Sequence, residues 1–168
     1  MALLRILRYP DERLYTVAKP VTHFDDALRR LVDDMAETMY AAPGIGLAAT
    51  QVDVHLRVIV IDISDARDDL QVFINPEIIA SSADSKVFQE GCLSVPGVYE
   101  EVERPDRVKV RAFDVQGKSF TRDAEGLMAV VLQHEMDHLL GRVFVQYLSR
   151  LKQNRIRTRM LKSDRQVA

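Results

Sequence analysis

Apolar residues recur with a helical period at Leu28, Leu31, Val32, Met35 and Met39, so one stripe of this stretch faces a core. Asp25 or Asp26 stands where an N-cap belongs and Pro43 bars continuation, which bounds a helix between them. The pattern then changes. Leu56-Arg57-Val58-Ile59-Val60-Ile61-Asp62 is an almost continuous apolar run and reads as a largely buried strand. Val108-Lys109-Val110-Arg111-Ala112-Phe113 alternates with period two, as does the shorter Ser119-Phe120-Thr121, and Gln116-Gly117 supplies the turn between them. A second helix runs from about Ala124 to Leu140 and is stopped by Gly141. Ser149 is an N-cap for a third, covering 149–168. Antiparallel or mixed strands packed around a central helix, with a further helix at the C-terminus, make α+β the expected fold class. No repeat or low-complexity linker divides the chain, so residues 1–168 are read as a single domain.

Composition narrows the class without naming a chemistry. A chain with 47% hydrophobic and 29% charged residues is ordinary for a globular protein that buries a core. One cysteine excludes an internal disulfide framework. Arginines break the first eight residues before any signal-like apolar run forms, and no stretch approaches the roughly 20 apolar residues of a membrane span. A cytoplasmic protein beginning near Met1 is expected.

The charge is uneven. The net is −2, yet Ser149–Ala168 holds Arg150, Lys152, Arg155, Arg157, Arg159, Lys162 and Arg165 against the single acid Asp164. Residues 1–148 then carry 16 basic and 24 acidic side chains, a net of −8. The basic C-terminal helix is a solvated surface helix or a docking element for an acidic surface such as ribosomal RNA.

Chemistry first appears in the central helix, at His134-Glu135-Met136-Asp137-His138. Side chains four residues apart share a helix face with Cβ atoms roughly 5–6 Å apart, so both imidazoles can reach one metal ion. Glu135 lies about 100° round from His134, beside the metal position without occupying it. This is the H-E-x-x-H arrangement of metal-dependent hydrolases, and it makes the central helix a metal-binding one. A catalytic site of this kind needs a third protein ligand. The metzincin continuation is followed as far as Gly141 but has Phe144 where the last histidine belongs, and the only acid after His138 is Asp164. The ligand must come from upstream: His23, His55, Cys92 or a carboxylate. Cys92, in Glu90-Gly91-Cys92-Leu93-Ser94, is favoured as a metal-bound thiolate. It could otherwise be a nucleophile activated by either histidine, or a buried apolar thiol.

A third segment, Pro43-Gly44-Ile45-Gly46-Leu47-Ala48-Ala49-Thr50-Gln51, is rich in small residues. Gly44 and Gly46 allow positive φ or close approach of backbone to a ligand, and Gln51 offers an amide donor. Without Lys-Ser/Thr or G-x-G-x-x-G spacing it is no phosphate loop. The plain alternative is a tight turn into the next strand.

Taken together, these segments resemble the three ordered motifs of the peptide deformylase family, G-x-G-x-A-A-x-Q, E-G-C-x-S and H-E-x-D-H. They stand here as Gly44–Gln51, Glu90–Ser94 and His134–His138, with every fixed position matched and the resemblance running from Tyr9-Pro10-Asp11 to the basic tail. The resemblance implies removal of the N-formyl group from the initiator methionine of new polypeptides, with release of formate. It implies one divalent metal held by Cys92, His134 and His138, with Fe2+ favoured and Zn2+, Ni2+ or Co2+ able to substitute. Glu135 would be the general acid–base, and Gln51 and the backbone N–H of Leu93 would stabilise the oxyanion.

Leu127, Val130 and Val131 lie on the His134 face of the same helix. Most of that face must be core, but its last turn can wall a pocket with Gly44, Ile45, Gly46, Phe88 and Leu93. An unbranched apolar side chain such as methionine suits it. Partners are then N-formyl-methionyl nascent peptides and, through the basic helix, the ribosome; no membrane is expected, and a monomer is. Some family members carry an arginine near Tyr99, so the peptide contact it would make is absent or replaced here. Arg104 and Glu90 are candidates to pair and brace the cysteine loop. A metal-free cysteine hydrolase would survive chelation, and a non-enzymatic RNA-binding protein would not need all three motifs.

Overall fold

The computed structural model describes residues 2–167, and side chains through 164. Asp25 caps α1 (Asp26–Ala41): its carboxylate accepts from the Leu28 N–H at 3.0 Å. Five antiparallel strands form one sheet in the order β1-β2-β3-β6-β7. They are β1 (Gly46–Ala48), β2 (Val58–Ile61), β3 (Gln71–Ser81), β6 (Arg107–Phe113) and β7 (Ser119–Glu125). The other two, β4 (Ser85–Cys92) and β5 (Val95–Pro105), make a separate long hairpin.

The nearly unbroken apolar run of β2 has a simple cause. At β2 the sheet is covered on both faces, so neither set of its alternating side chains meets water. Ile59 and Ile61 pack with Met128, Leu132 and Met136 of α2 (Gly126–Leu139). Val58 and Val60 pack with Val32, Met35 and Met39 of α1. The clean alternation of β6 likewise follows from one buried and one exposed face. A third apolar cluster joins Val95, Val98 and Val102 of β5 to Phe144, to the N-terminal segment at Leu7 and Leu14, and to Ile156 and Met160 of α3 (Arg150–Val167).

Local differences from the periodicity have local reasons. Leu56 lies outside β2 because it bridges in parallel to Lys19. Ala124 and Glu125 belong to β7, paired with Val108 and Arg107, so α2 starts two residues later than the pattern implies. Its end is as expected. Gly141 at φ 77° lets its own N–H reach the His138 carbonyl and the Arg142 N–H reach that of Asp137, closing the last turn. Ser149 caps α3 through a bond from the Lys152 N–H at 3.2 Å. The β4–β5 register slips between Glu90, opposite Glu100, and Cys92, opposite Val95, close to the hairpin's end.

Candidate active site

Three elements meet where α2 passes the end of the β4–β5 hairpin. Cys92 Sγ and the ring nitrogens of His134 and His138 all lie within 4.8 Å of one another. Cys92 Sγ is 3.4 Å from His138 Nε2. Among the described residues this is the one such group of three or more metal-binding side chains; His23 is not in it, and His55 instead faces Asp53 at 3.1 Å. The donor set of one thiol and two imidazoles fits a divalent transition metal with an open position.

The surroundings of His134 fix which nitrogen faces that centre. Glu90 accepts a hydrogen bond from its Nδ1 at 2.9 Å, leaving Nε2 toward the ligand cluster. Glu90 in turn takes two bonds from Arg104, at 2.5 Å and 2.9 Å. Arg104 also donates to Asp137 at 2.8 Å, and the Tyr147 hydroxyl donates to the same carboxylate oxygen. The expected Glu90–Arg104 pair is thus part of a longer chain that runs from buried Glu90 and Arg104 out to the exposed Tyr147. Burial works against the charge on Glu90, but hydrogen bonds from His134 and Arg104 hold its carboxyl below the usual range. Burial also opposes the charge on Arg104, and Glu90 and Asp137 outweigh it.

Glu135 has a different environment. Its Oε1 is 3.7 Å from His134 Nε2, while Oε2 is buried with no hydrogen-bond partner. Burial pushes its carboxyl up to about 7. An unsatisfied buried carboxylate oxygen is costly, and its position beside the ligand cluster gives it something to serve.

Gln51, 1% exposed, is oriented from both ends. Its Oε1 accepts from the Ala48 N–H at 2.9 Å, and Nε2 donates to Ser94 Oγ at 3.0 Å and lies 3.6 Å from Cys92 Sγ. The Gly44–Gln51 segment is no simple turn: it contributes strand β1 and a 3₁₀ turn, Ala49–Val52. Neither glycine needs positive φ. Gly46 is required by close approach, since a Cβ there would sit 2.8 Å from Val131 Cγ1 and 3.2 Å from Glu135 Cγ.

A cavity of about 680 Å³ opens onto this centre. Gly44, Ile45, Gly46, Phe88, Leu93, Leu127, Val130 and Val131 line it, together with Cys92, His134 and Glu135. Tyr99, 64% exposed, lies at its rim. Asp137 and Ser94 are fixed positions of two motifs with no role assigned by spacing, and Tyr147 stands outside all three. Asp137 sits inside a motif and was open to notice there; Tyr147 meets it only through tertiary folding.

The family model for polypeptide deformylase matches residues 3–154. This chain belongs to the peptide deformylase family. It is 69% identical over 165 residues to peptide deformylase 1 of Burkholderia multivorans, covering 98% of this chain and 91% of that one. It is 57% identical over 168 residues to the peptide deformylase of Pseudomonas aeruginosa, covering both chains fully. The crystal structure of a peptide deformylase from Legionella pneumophila superposes with a TM-score of 0.93 at 49% identity, covering 97% of this chain and 96% of that one. The peptide deformylase from Ehrlichia chaffeensis in complex with actinonin gives 0.93 at 40% identity, covering 98% and 99%.

Proposed function

We propose that Glu135 moves the protons of deformylation in this chain, with Gln51 and Leu93 receiving the developing negative charge. The chain is a metal-dependent peptide deformylase, which removes the N-formyl group from nascent peptides. Cys92, His134 and His138 would hold its one divalent ion. That ion supplies Lewis-acid chemistry, polarising a carbonyl and lowering the pKa of water. The formyl-methionine side chain enters between Ile45, Phe88, Leu127, Val130 and Val131, with the Gly44 and Gly46 backbone alongside. Water adds to the formyl carbon as Glu135 takes its proton. The Gln51 amide and the Leu93 backbone N–H donate to the carbonyl oxygen as it becomes anionic. Glu135 then returns a proton to the leaving nitrogen, the C–N bond breaks, and formate and a free amine depart.

The observation that carries this assignment is the buried, unpartnered Glu135 Oε2 beside the three converging ligands. Formate release from a formyl-Met tripeptide, by protein purified without oxygen and assayed for metal on the same sample, tests it. Turnover should track one metal per chain and vanish on chelation. Metal-replete protein that released no formate would overturn the substrate assignment. Fe2+ is proposed as the cellular ion; an oxygen-stable activity that depends on zinc alone would refute it.

Residues 1–168 act as one catalytic unit, monomeric and cytoplasmic, with α3 docking on the ribosome from which the substrate emerges. Among the described residues no helix is long and apolar enough to cross a membrane. Arg155, Arg157, Arg159 and Lys162 are exposed on α3, whereas the Arg165 side chain lies outside the described ones. Arg159 also reaches Gly97 at the cavity rim, with Nη2 3.4 Å from where a Cβ would stand. Arg155 and Lys162 are therefore the cleaner pair for testing ribosome docking.

A further inference from the structure

One wall of the substrate cavity is the segment 42–46, which joins α1 to β1. Its inner side is packed tightly, since a Cβ on Gly44 would fall 2.5 Å from Leu93 Cδ1. Its outer side is held by a different part of the chain. Arg67 Nη2 donates to the Gly44 carbonyl at 2.8 Å, and the same guanidinium stacks 5.0 Å from the centroid of the Tyr40 ring. Arg67 does not line the cavity.

The loop that carries Arg67 is anchored from below. Asp62 is fully buried at the end of β2, and its backbone N–H donates to the Ile45 carbonyl at 2.9 Å. Its carboxylate accepts from the Tyr40 hydroxyl at 2.6 Å, from the Ser64 hydroxyl and N–H, and from the Asp69 N–H. A single carboxylate therefore ties together α1, the loop and the loop's return. Within it Arg67 sits at φ 59°, a left-handed conformation that a non-glycine residue rarely adopts. Backbone strain of this kind persists where the surrounding contacts over-determine it. Here those contacts aim the guanidinium at Gly44.

We propose that Arg67 is a positioning residue for substrate: the loop 62–69 straps the outer face of the Gly44–Ile45 wall, and Arg67 holds that wall at the spacing the formyl-methionine needs. The inference rests on the deformylase reading of the cavity and adds a residue to it. A charge-assisted bond to a backbone carbonyl is well suited to the task, because it fixes the wall without placing a side chain in the substrate's path. Arg67 touches neither the ligands nor the reacting atoms, so its effect belongs in substrate binding rather than in the chemical step.

The test compares wild type, Arg67→Met and Arg67→Lys, all metal-replete, in formate release from a formyl-Met tripeptide and in amide hydrogen exchange at residues 44–46. Arg67→Met should raise KM about three- to tenfold, a part of what a charged hydrogen bond is worth, with kcat within about twofold. Metal content should not change. Arg67→Lys, which keeps the cation over Tyr40 but loses the planar fork, should fall between. Exchange at residues 44–46 should quicken in the methionine variant. A KM within twofold of wild type, or a loss confined to kcat or to metal content, would overturn the strap. If wild type itself released no formate, the deformylase reading would fall, and exchange would still decide the strap: rates unchanged from wild type would sink it.

Discussion

Helices α2 and α3 both carry polar side chains, a few among apolar ones on α2 and a majority on α3, and those side chains mean opposite things. Ten of the fourteen residues of α2 are buried, including Gln133, His134, Glu135 and His138. Among the described side chains of α3, Ile156 and Met160 are buried and most of the charged ones face water. On α3 a polar residue needs no partner because solvent supplies one. On α2 each must be satisfied within the protein. Gln133 donates to the carbonyls of Pro105 and Ala129, and His134 to Glu90. Two buried atoms of α2 are left over, His138 Nδ1 and Glu135 Oε2, and both belong to residues at the Cys92–His134–His138 cluster or beside it. Polarity is informative where burial makes it expensive.

That contrast can be broken at four points. Glu135→Ala should lower kcat by at least about 100-fold, the scale of a lost general base, while metal analysis still finds the ion. Loss of the ion together with activity would move Glu135 from proton transfer to metal retention. Arg104→Met leaves the buried Glu90 and the part-buried Asp137 without their cation, and should cost about 3–5 kcal/mol in urea unfolding. A cost under about 1 kcal/mol would mean that the chain behind His134 is not held by charge.

The two changes on α3 should be milder for catalysis. Met160→Ala removes a side chain 1% exposed against Phe144 and Val98, and should cost about 2–5 kcal/mol of stability with peptide turnover near wild type. Collapse of turnover in the folded variant would show that α3 shapes the site. Arg155→Glu with Lys162→Glu should change stability by no more than about 0.5 kcal/mol. Affinity for ribosomes at low salt should drop, and its salt dependence should flatten. Equal ribosome affinity in both proteins would remove the docking role from this helix.

Much of this was legible from spacing. The His134/His138 pair, the period of α1 and α2, the stop at Gly141 and the alternation of β6 are properties of neighbours within a few residues. The β4–β5 hairpin was harder to read. Its strands mix exposed charges with apolar positions, and their pairing spans a register slip that no local pattern announces. Gly44 and Gly46 were open to two explanations, and the folded chain chose close approach over positive φ because Leu93 and Val131 arrive from distant elements. Tyr147 carried no signal at all: its partner Asp137 is ten residues away, and the Arg104 beneath its ring is farther still.

Local periodicity and motif order were enough for the fold class, the metal-binding helix, Cys92 as the favoured third ligand and the family. They could not supply the distances among Cys92, His134 and His138, the isolation of Glu135 Oε2, or the grip of Arg67 on Gly44. Helical and strand patterns arise from contacts between near neighbours, which any window of sequence contains. Burial, charge compensation and the shape of a cavity arise from residues on different elements, from 14 positions apart for Glu90 and Arg104 to 46 for Cys92 and His138, and exist only once the chain has closed around them.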